Sequence, residues 1–206
     1  DVCSSDLVNE GVSLMTLKGT RTAENLLKSF AGESQARMRY TYYSSLAKKE
    51  GYVEIANILL EIAEQEKEHA KRFYKFLKED FKDQGIEITS TYPVSYHDNT
   101  LDNLKAAASG ENEEWTILYP EFARQAREEG FSAIAAAYER IAEVEKNHEK
   151  RYEKLINNLQ NNTVFKKEES VLWMCTNCGY IYEGEEAPKS CPACLHPQGY
   201  FKVYNE

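Results

Sequence analysis

Two Glu-x-x-His pairs sit where a helical bundle should keep leucine. After Gly51, alternating steps of four and three pick out Ile55, Leu59, Ile62, Glu66, His69, Phe73 and Phe76. After Gly130 the same steps pick out Ile134, Tyr138, Ile141, Glu145, His148, Tyr152 and Leu155. That spacing puts each set on one apolar seam of a helix. A single such pair is usually a solvated surface feature. Two of them, at matching places on two core stripes, need an explanation inside the core.

The chain also repeats itself. Ala47–Phe73 aligns with Ala126–Tyr152 at an offset of 79 residues, and Ala31–Ser34 with Ser109–Asn112 at an offset of 78. Gly51 thereby matches Gly130, Glu66 matches Glu145, His69 matches His148 and Glu33 matches Glu111. Helical patterns cover about Thr22 to Lys49, Val53 to Phe81, Thr100 to Glu128 and Ser132 to Leu159, with Pro120 expected to kink the third. Two tight turns make two helical hairpins. The stretch Asp83–Asn99, with Gly85, Pro93 and several β-branched residues, is too long for such a turn and suits an over-the-end crossover. The sum is a mainly α, ferritin-like four-helix bundle with one long crossover.

Counting from the turns gives the depth of the polar residues. Glu33 lies 18 residues before Gly51, and Glu66 and His69 lie 15 and 18 after it. Glu111 and Glu114 lie 19 and 16 before Gly130, and Glu145 and His148 lie 15 and 18 after it. At about 1.5 Å per residue the seven side chains share one level to within roughly a turn. Five carboxylates and two imidazoles converging in an apolar core destabilise it unless cations balance them. Two divalent ions fall one charge short of five carboxylates and two trivalent ions exceed them by one, which suits an iron pair cycling between ferrous and ferric. One imidazole per metal among carboxylates favours iron or manganese over structural zinc, and the ligand pattern is the one general to di-iron carboxylate bundles. Tyr40 and Tyr119 lie close enough to hydrogen-bond these carboxylates and join Glu114 and His69 as the expected catalytic set. His97 and His196 fit neither pattern and read as solvated loop histidines.

Four of the five cysteines close the chain: Cys175, Cys178, Cys191 and Cys194 form two CxxC knuckles twelve residues apart. Such knuckles hold one tetrahedral metal, iron or zinc, in a reducing compartment. Trp173, Tyr180, Tyr182 and Phe201 are the expected core of this small domain, since so short a segment needs both metal and core. Residues 1–15 lack a secretory pattern and read as an extension, disordered or non-native, in which Cys3 has no role. The expected organisation is therefore a bundle at 16–160, a linker at 161–170 and a cysteine domain at 171–206. Acidic residues outnumber basic ones 34 to 25, for a net charge of −9, which argues against a nucleic-acid partner. No apolar run approaches the roughly 18 residues of a membrane span.

These residues resemble those of rubrerythrins. The likeness is carried by LKGTRT (Leu17–Thr22), FAGESQAR (Phe30–Arg37), EQEKEHAKR (Glu64–Arg72), GENEEW (Gly110–Trp115), YPEFARQAREEG (Tyr119–Gly130), EKNHEKR (Glu145–Arg151) and the two cysteine knuckles. It implies a ferritin-like domain with a non-haem di-iron centre fused to a rubredoxin-like FeS4 domain. The implied di-iron ligands are Glu33, Glu66, His69, Glu111, Glu114, Glu145 and His148. The implied activity is reduction of hydrogen peroxide to water in the cytoplasm, in protection against oxidative stress, by an oxidoreductase that is at least dimeric. In it His69 and Glu114 exchange at one iron between redox states, and the FeS4 centre relays electrons from a rubredoxin or an external NAD(P)H-dependent reductase. The chain itself has no Gly-rich dinucleotide fingerprint. The competing readings are a ferritin-type iron oxidase or iron-binding protein, and a helical scaffold carrying a zinc interaction module.

Overall fold

The computed structural model describes residues 16–204, so Cys3 and the expectations for residues 1–15 lie outside the described residues. Four elements are long helices or helix pairs: α1 (Arg21–Lys49), α2 (Val53–Phe81), α3 (Thr100–Glu113) continued by α4 (Tyr119–Glu128), and α5 (Ser132–Gln160). The Thr20 side chain caps α1 by accepting from Ala23 N, and Asn99 caps α3 by accepting from Asp102 N. The two hairpin turns are built identically. Gly51 and Gly130 both take φ of 88°, and the residue after each donates back to Ala47 and Ala126 respectively. This is the left-handed helix stop that only glycine enters without strain.

The two turns lie at opposite ends of the bundle. Thr22, at the start of α1, donates through N and Oγ1 to Glu129 beside the second turn, while Glu50 beside the first turn accepts from Thr100 N at the start of α3. The 29-residue helices make the counted depths of 15 to 19 residues about mid-helix from either end. The crossover, residues 82–99, therefore runs the length of the bundle instead of over its end. It lies against α1, where Tyr92 Oη donates to Lys28 O at 2.9 Å and Ser95 O accepts from Tyr43 Oη at 2.5 Å. Its extended chain can span about 3.3 Å per residue, enough to match the helix.

Between α3 and α4, just before Pro120, the chain forms a π turn, Glu114–Leu118. Tyr119 N–H donates to Glu114 O, five residues back. Pro120 has no N–H to give, so the α-helical ladder is already open there, and the turn absorbs one extra residue. That residue is the change of repeat offset from 78 to 79.

Two apolar cores fill the bundle. One gathers Tyr40, Tyr43, Leu59, Ile62, Leu104 and Tyr152; the other gathers Leu26, Phe73, Tyr119, Ile134, Tyr138 and Ile141. Between them lies a buried polar layer of Glu33, Glu66, Glu111, Glu145 and His148.

The small domain is a three-stranded antiparallel sheet in the order β2-β1-β3, with β1 Lys166–Cys175, β2 Ile181–Glu186 and β3 Phe201–Val203. Trp173 and Phe201 are its core, with Ala187. Tyr180 and Tyr182 are exposed: Tyr182 lies opposite Trp173 and on its face of the sheet, but β2 is an edge strand that leaves it uncovered, and Tyr180 precedes the strand. The expected linker is shorter than 161–170, since β1 already begins at Lys166. Phe165 anchors it, stacking on Tyr52 at 6.1 Å. The domain sits against the Gly51 turn of its own bundle, where a Cβ on Gly199 would come within 2.2 Å of Gly51 O.

Candidate metal centres

In the polar layer six side chains from four helices close on two points. Ligand atoms of Glu33, Glu66, His69 and Glu145 lie within 4.8 Å of one another, and so do those of Glu66, Glu111, Glu145 and His148. Glu66 and Glu145 belong to both groups. His69 Nδ1 stands 2.8 Å from Glu145 Oε1 and 2.9 Å from Glu66 Oε2; His148 Nδ1 stands 2.8 Å from Glu145 Oε2 and 2.9 Å from Glu66 Oε1. Only the His69–Glu66 contact has hydrogen-bond geometry among these. Buried and without a hydrogen-bond partner are Glu33 Oε2, Glu66 Oε1, Glu111 Oε2, both Glu145 oxygens and His148 Nδ1. Buried acceptors aimed at one another without a donor cost free energy unless a cation lies between them. The donor set of three carboxylates and one imidazole per group fits iron or manganese.

Without metal the layer resorts to protons. Burial, then the charges of Glu114, Glu145 and Glu66, push Glu33 well above the usual carboxylate range, and burial with Glu66 raises Glu111 to about 8. Against burial, the close approach of His148 and His69 brings Glu66 down to about 2. Burial alone would lower the histidines, yet Glu145 and Glu66 raise His69 to about 10, and Glu111, Glu145 and Glu66 raise His148 to about 12.

The cysteines form the third cluster. Sγ of Cys175 and Cys194 are 3.7 Å apart, and those of Cys178 and Cys191 are 3.6 Å apart. A tetrahedron with metal–sulfur bonds of about 2.3 Å has edges of about 3.8 Å, so the spacing fits one ion. Each knuckle closes with a backbone bond, Gly179 N to Cys175 O and Leu195 N to Cys191 O, both 2.8 Å. The His196 backbone N–H is the main influence lowering the Cys194 thiol to about 6.

Comparison with known proteins decides the family. Residues 24–156 match the family profile described as rubrerythrin, and residues 173–202 match the rubrerythrin rubredoxin-like domain. The chain belongs to the rubrerythrin family. It is 61% identical over 193 residues to the rubrerythrin of Clostridium perfringens, covering 94% of this chain and 99% of that one. It is 47% identical over 190 residues to the rubrerythrin of Nitratidesulfovibrio vulgaris, covering 92% and 97% respectively. The fully reduced, all-ferrous structure of nigerythrin superposes with a TM-score of 0.60 at 29% identity, covering 96% of each chain. As a rubrerythrin-family protein it carries a di-iron ferritin-like site with carboxylate and histidine ligands and a four-cysteine rubredoxin-like site.

Within this rubrerythrin-type site the two halves serve each other. Tyr40 Oη donates to Glu111 Oε1 at 2.6 Å, and Tyr119 Oη donates to Glu33 Oε1, so each hairpin's tyrosine holds the other's carboxylate. Six of the seven residues picked out for the bundle come together. Glu114 does not: it is half-buried beside both groups and belongs to neither, with His69 occupying the first. Burial and the Glu111 charge hold its carboxyl well above the usual range. Gln65 was not anticipated. Its Oε1 lies 2.9 Å from His148 Nε2, a contact that fixes the ring and leaves Nδ1 toward the site. The repeat could not flag it, because the matching position is Val144. Of the other histidines, His97 is exposed, whereas His196 is half-buried and packs edge-on against Tyr200 at 4.6 Å. Among the described residues no helix is long and apolar enough to cross a membrane.

Proposed function

We propose that this chain is a non-haem di-iron peroxidase that reduces hydrogen peroxide to water, with electrons relayed through its FeS4 centre from an external NAD(P)H-linked donor or rubredoxin. The observation that carries this reading is the pairing, in one chain, of a two-metal carboxylate site with a four-thiolate site suited to single electrons. An iron pair supplies both electrons needed to break the O–O bond. Glu33, Glu66, His69, Glu111, Glu145 and His148 would hold that pair. Glu114 is poised to join as positive charge rises, in exchange for His69, because the harder ferric ion favours carboxylate over imidazole. Tyr40 and Tyr119 donate hydrogen bonds to Glu111 Oε1 and Glu33 Oε1 and hold those carboxylates in place.

A cavity of about 150 Å³ beside Glu114, lined by Arg39, Ser90, Tyr92, Tyr119 and Phe122, is large enough for peroxide. The ferritin-type oxidase reading leaves the thiolate domain without work. Relay within one chain must cover the 15 or more residues of α2 between the Gly51 turn and Glu66, about 22 Å. A homodimer or larger assembly that seats the small domain against a partner's bundle shortens that path. Four cysteines gathered to hold a metal as thiolates suit the reducing cytoplasm.

The test is donor-coupled peroxide consumption by iron-loaded protein. Cys178→Ser should lower steady turnover by about tenfold or more, while chemically prereduced protein still consumes one peroxide per chain. An unchanged steady rate would remove the FeS4 centre from the electron path.

A further inference from the structure

A file of tyrosines leads from the polar layer to the surface on one side of the bundle only. Tyr40, buried and bonded to Glu111, has its ring centroid 6.1 Å from that of buried Tyr43. Tyr43 stacks on Tyr96 at 6.4 Å with ring planes 14° apart, and Tyr96 meets Tyr42 edge-on at 6.3 Å. Tyr96 and Tyr42 are 64% and 50% exposed, so the file ends in solvent. All these spacings lie in the range of aromatic contact, about 4.5–7 Å.

The hydrogen bonds fit a redox file. Tyr43 Oη donates to Ser95 O at 2.5 Å and lies 3.1 Å from Ser95 Oγ, so its proton has a place to rest. Tyr152, also beside Tyr40 at 5.5 Å, has a buried hydroxyl with no partner and is a dead end for a phenol that must shed its proton. The other half of the repeat offers no equivalent. Tyr119 meets Phe73 and Tyr138, both buried, and the residue matching Tyr43 at the 79-residue offset is Phe122, which has no phenol.

We infer that Tyr40, Tyr43 and Tyr96 form a one-electron path by which the oxidised metal centre, when its donor is absent, draws an electron from the protein surface. In this step the Tyr96 phenol gives one electron inward and its proton to solvent water, leaving a neutral tyrosyl radical. Tyr43 and Tyr40 pass the electron and finish as the phenols they began, and the centre is reduced by one electron. The oxidant is hydrogen peroxide beyond the one equivalent that the reduced centre converts to water with its own two electrons, or dioxygen, whose reduction to water takes two electrons more than the centre holds. A soluble thiol restores Tyr96 by giving up a hydrogen atom and leaving as a thiyl radical. The exposed end lines a groove of about 650 Å³ with Met38, Pro93 and Val94, open to such a reductant.

The path rests on the peroxidase reading for its usual oxidant, so its test uses two. Reduced, iron-loaded protein is mixed with several equivalents of peroxide, and separately with excess dioxygen, without donor and with a nitroso spin trap; adducts are located by mass spectrometry. Wild type should be labelled at Tyr96 or Tyr42, and Tyr43→Phe should cut that labelling by about an order of magnitude while donor-coupled turnover stays the same. Should Tyr43→Phe lose iron, Tyr96→Phe at its exposed site carries the test, and labelling of Tyr42 must fall with it. Equal surface labelling in wild type and variant, labelling confined to Tyr119 and Tyr138, or none with either oxidant would overturn the path. Surface labelling under dioxygen together with absent donor-coupled peroxide turnover would sink the peroxidase reading alone.

Discussion

In the first hairpin α1 runs unbroken past Glu33, and Ala36 holds the place one turn further on. In the second, the chain opens into a π turn at that place, and the residue there is Glu114. The framework is otherwise shared: the stop at Gly51 and Gly130, the Glu-x-x-His pairs, and the crossed tyrosine bonds. A two-fold frame thus provides four carboxylates and two imidazoles, and a glutamate where the other half has Ala36, at the start of the π turn, adds a fifth carboxylate on one side only. The symmetric part suits holding two metals in either state, and the asymmetric part suits telling the states apart. The small domain repeats the pattern in miniature. Its two knuckles close alike, but one turns through Gly179 at φ 78° and the other through Leu195 at φ 61°.

The sharpest way to break this comparison is to remove one carboxylate from each class. Glu111→Ala takes away a frame ligand and should weaken metal binding by about two orders of magnitude. Glu114→Ala should leave ferrous binding nearly intact, raise the di-iron reduction potential and slow peroxide turnover by about tenfold. Iron stoichiometry and rates on both decide it; equal metal loss would deny Glu114 a redox-dependent role.

A smaller effect lies in the pH dependence of the metal-free frame. His69 and His148 have folded values raised to about 10 and 12, so their stabilisation is complete below the unfolded value near 6.5 and is lost as pH rises toward and through the folded values. Glu111, raised to about 8, adds a loss between roughly 4.5 and 8. Glu66, lowered to about 2, acts oppositely, its contribution disappearing only as pH falls below 4.5 toward 2. The chelated protein should therefore melt progressively lower from pH 6 to pH 9. The iron-loaded protein should hold its melting temperature, with metal uptake releasing protons. Parallel melting curves for the two forms would contradict this account.

Deleting exposed Thr116 removes the extra residue of the π turn and restores the 78-residue offset through to Tyr119. Helicity and melting temperature should rise slightly while turnover falls, as circular dichroism and the coupled assay would report. Smallest of all, Leu195→Gly relieves a left-handed backbone that costs a branched residue about 1 kcal/mol. A denaturant melt of the small domain, with its chromophore unchanged, measures it.

Much of this was legible before any coordinates. The seams of α2 and α5 placed Glu66, His69, Glu145 and His148 because a core stripe tolerates no unexplained charge, and the repeat supplied Glu33 and Glu111. The π turn was visible only as a one-residue change of offset, which pattern reading assigned to no structure. The crossover's course escaped because its length suits either an end or a side, and the contacts of Tyr92 and Ser95 with α1 settle it. Tyr180 and Tyr182 read as core because aromatics usually are, but the buried centre of so small a sheet lies over the middle strand at Trp173, and the edge strand β2 leaves Tyr182 uncovered although it shares that face.

The most direct test of the central proposal is a stepwise titration of fully reduced, iron-loaded protein with hydrogen peroxide, followed by iron analysis and Mössbauer spectroscopy. Three irons per chain are predicted. The first equivalent of peroxide should convert the two bundle irons to ferric, and the red colour of the oxidised FeS4 centre should develop afterwards as its electron moves to the pair. Colour rising from the first addition while the bundle irons stay ferrous, or one zinc per chain in a colourless protein, would contradict it.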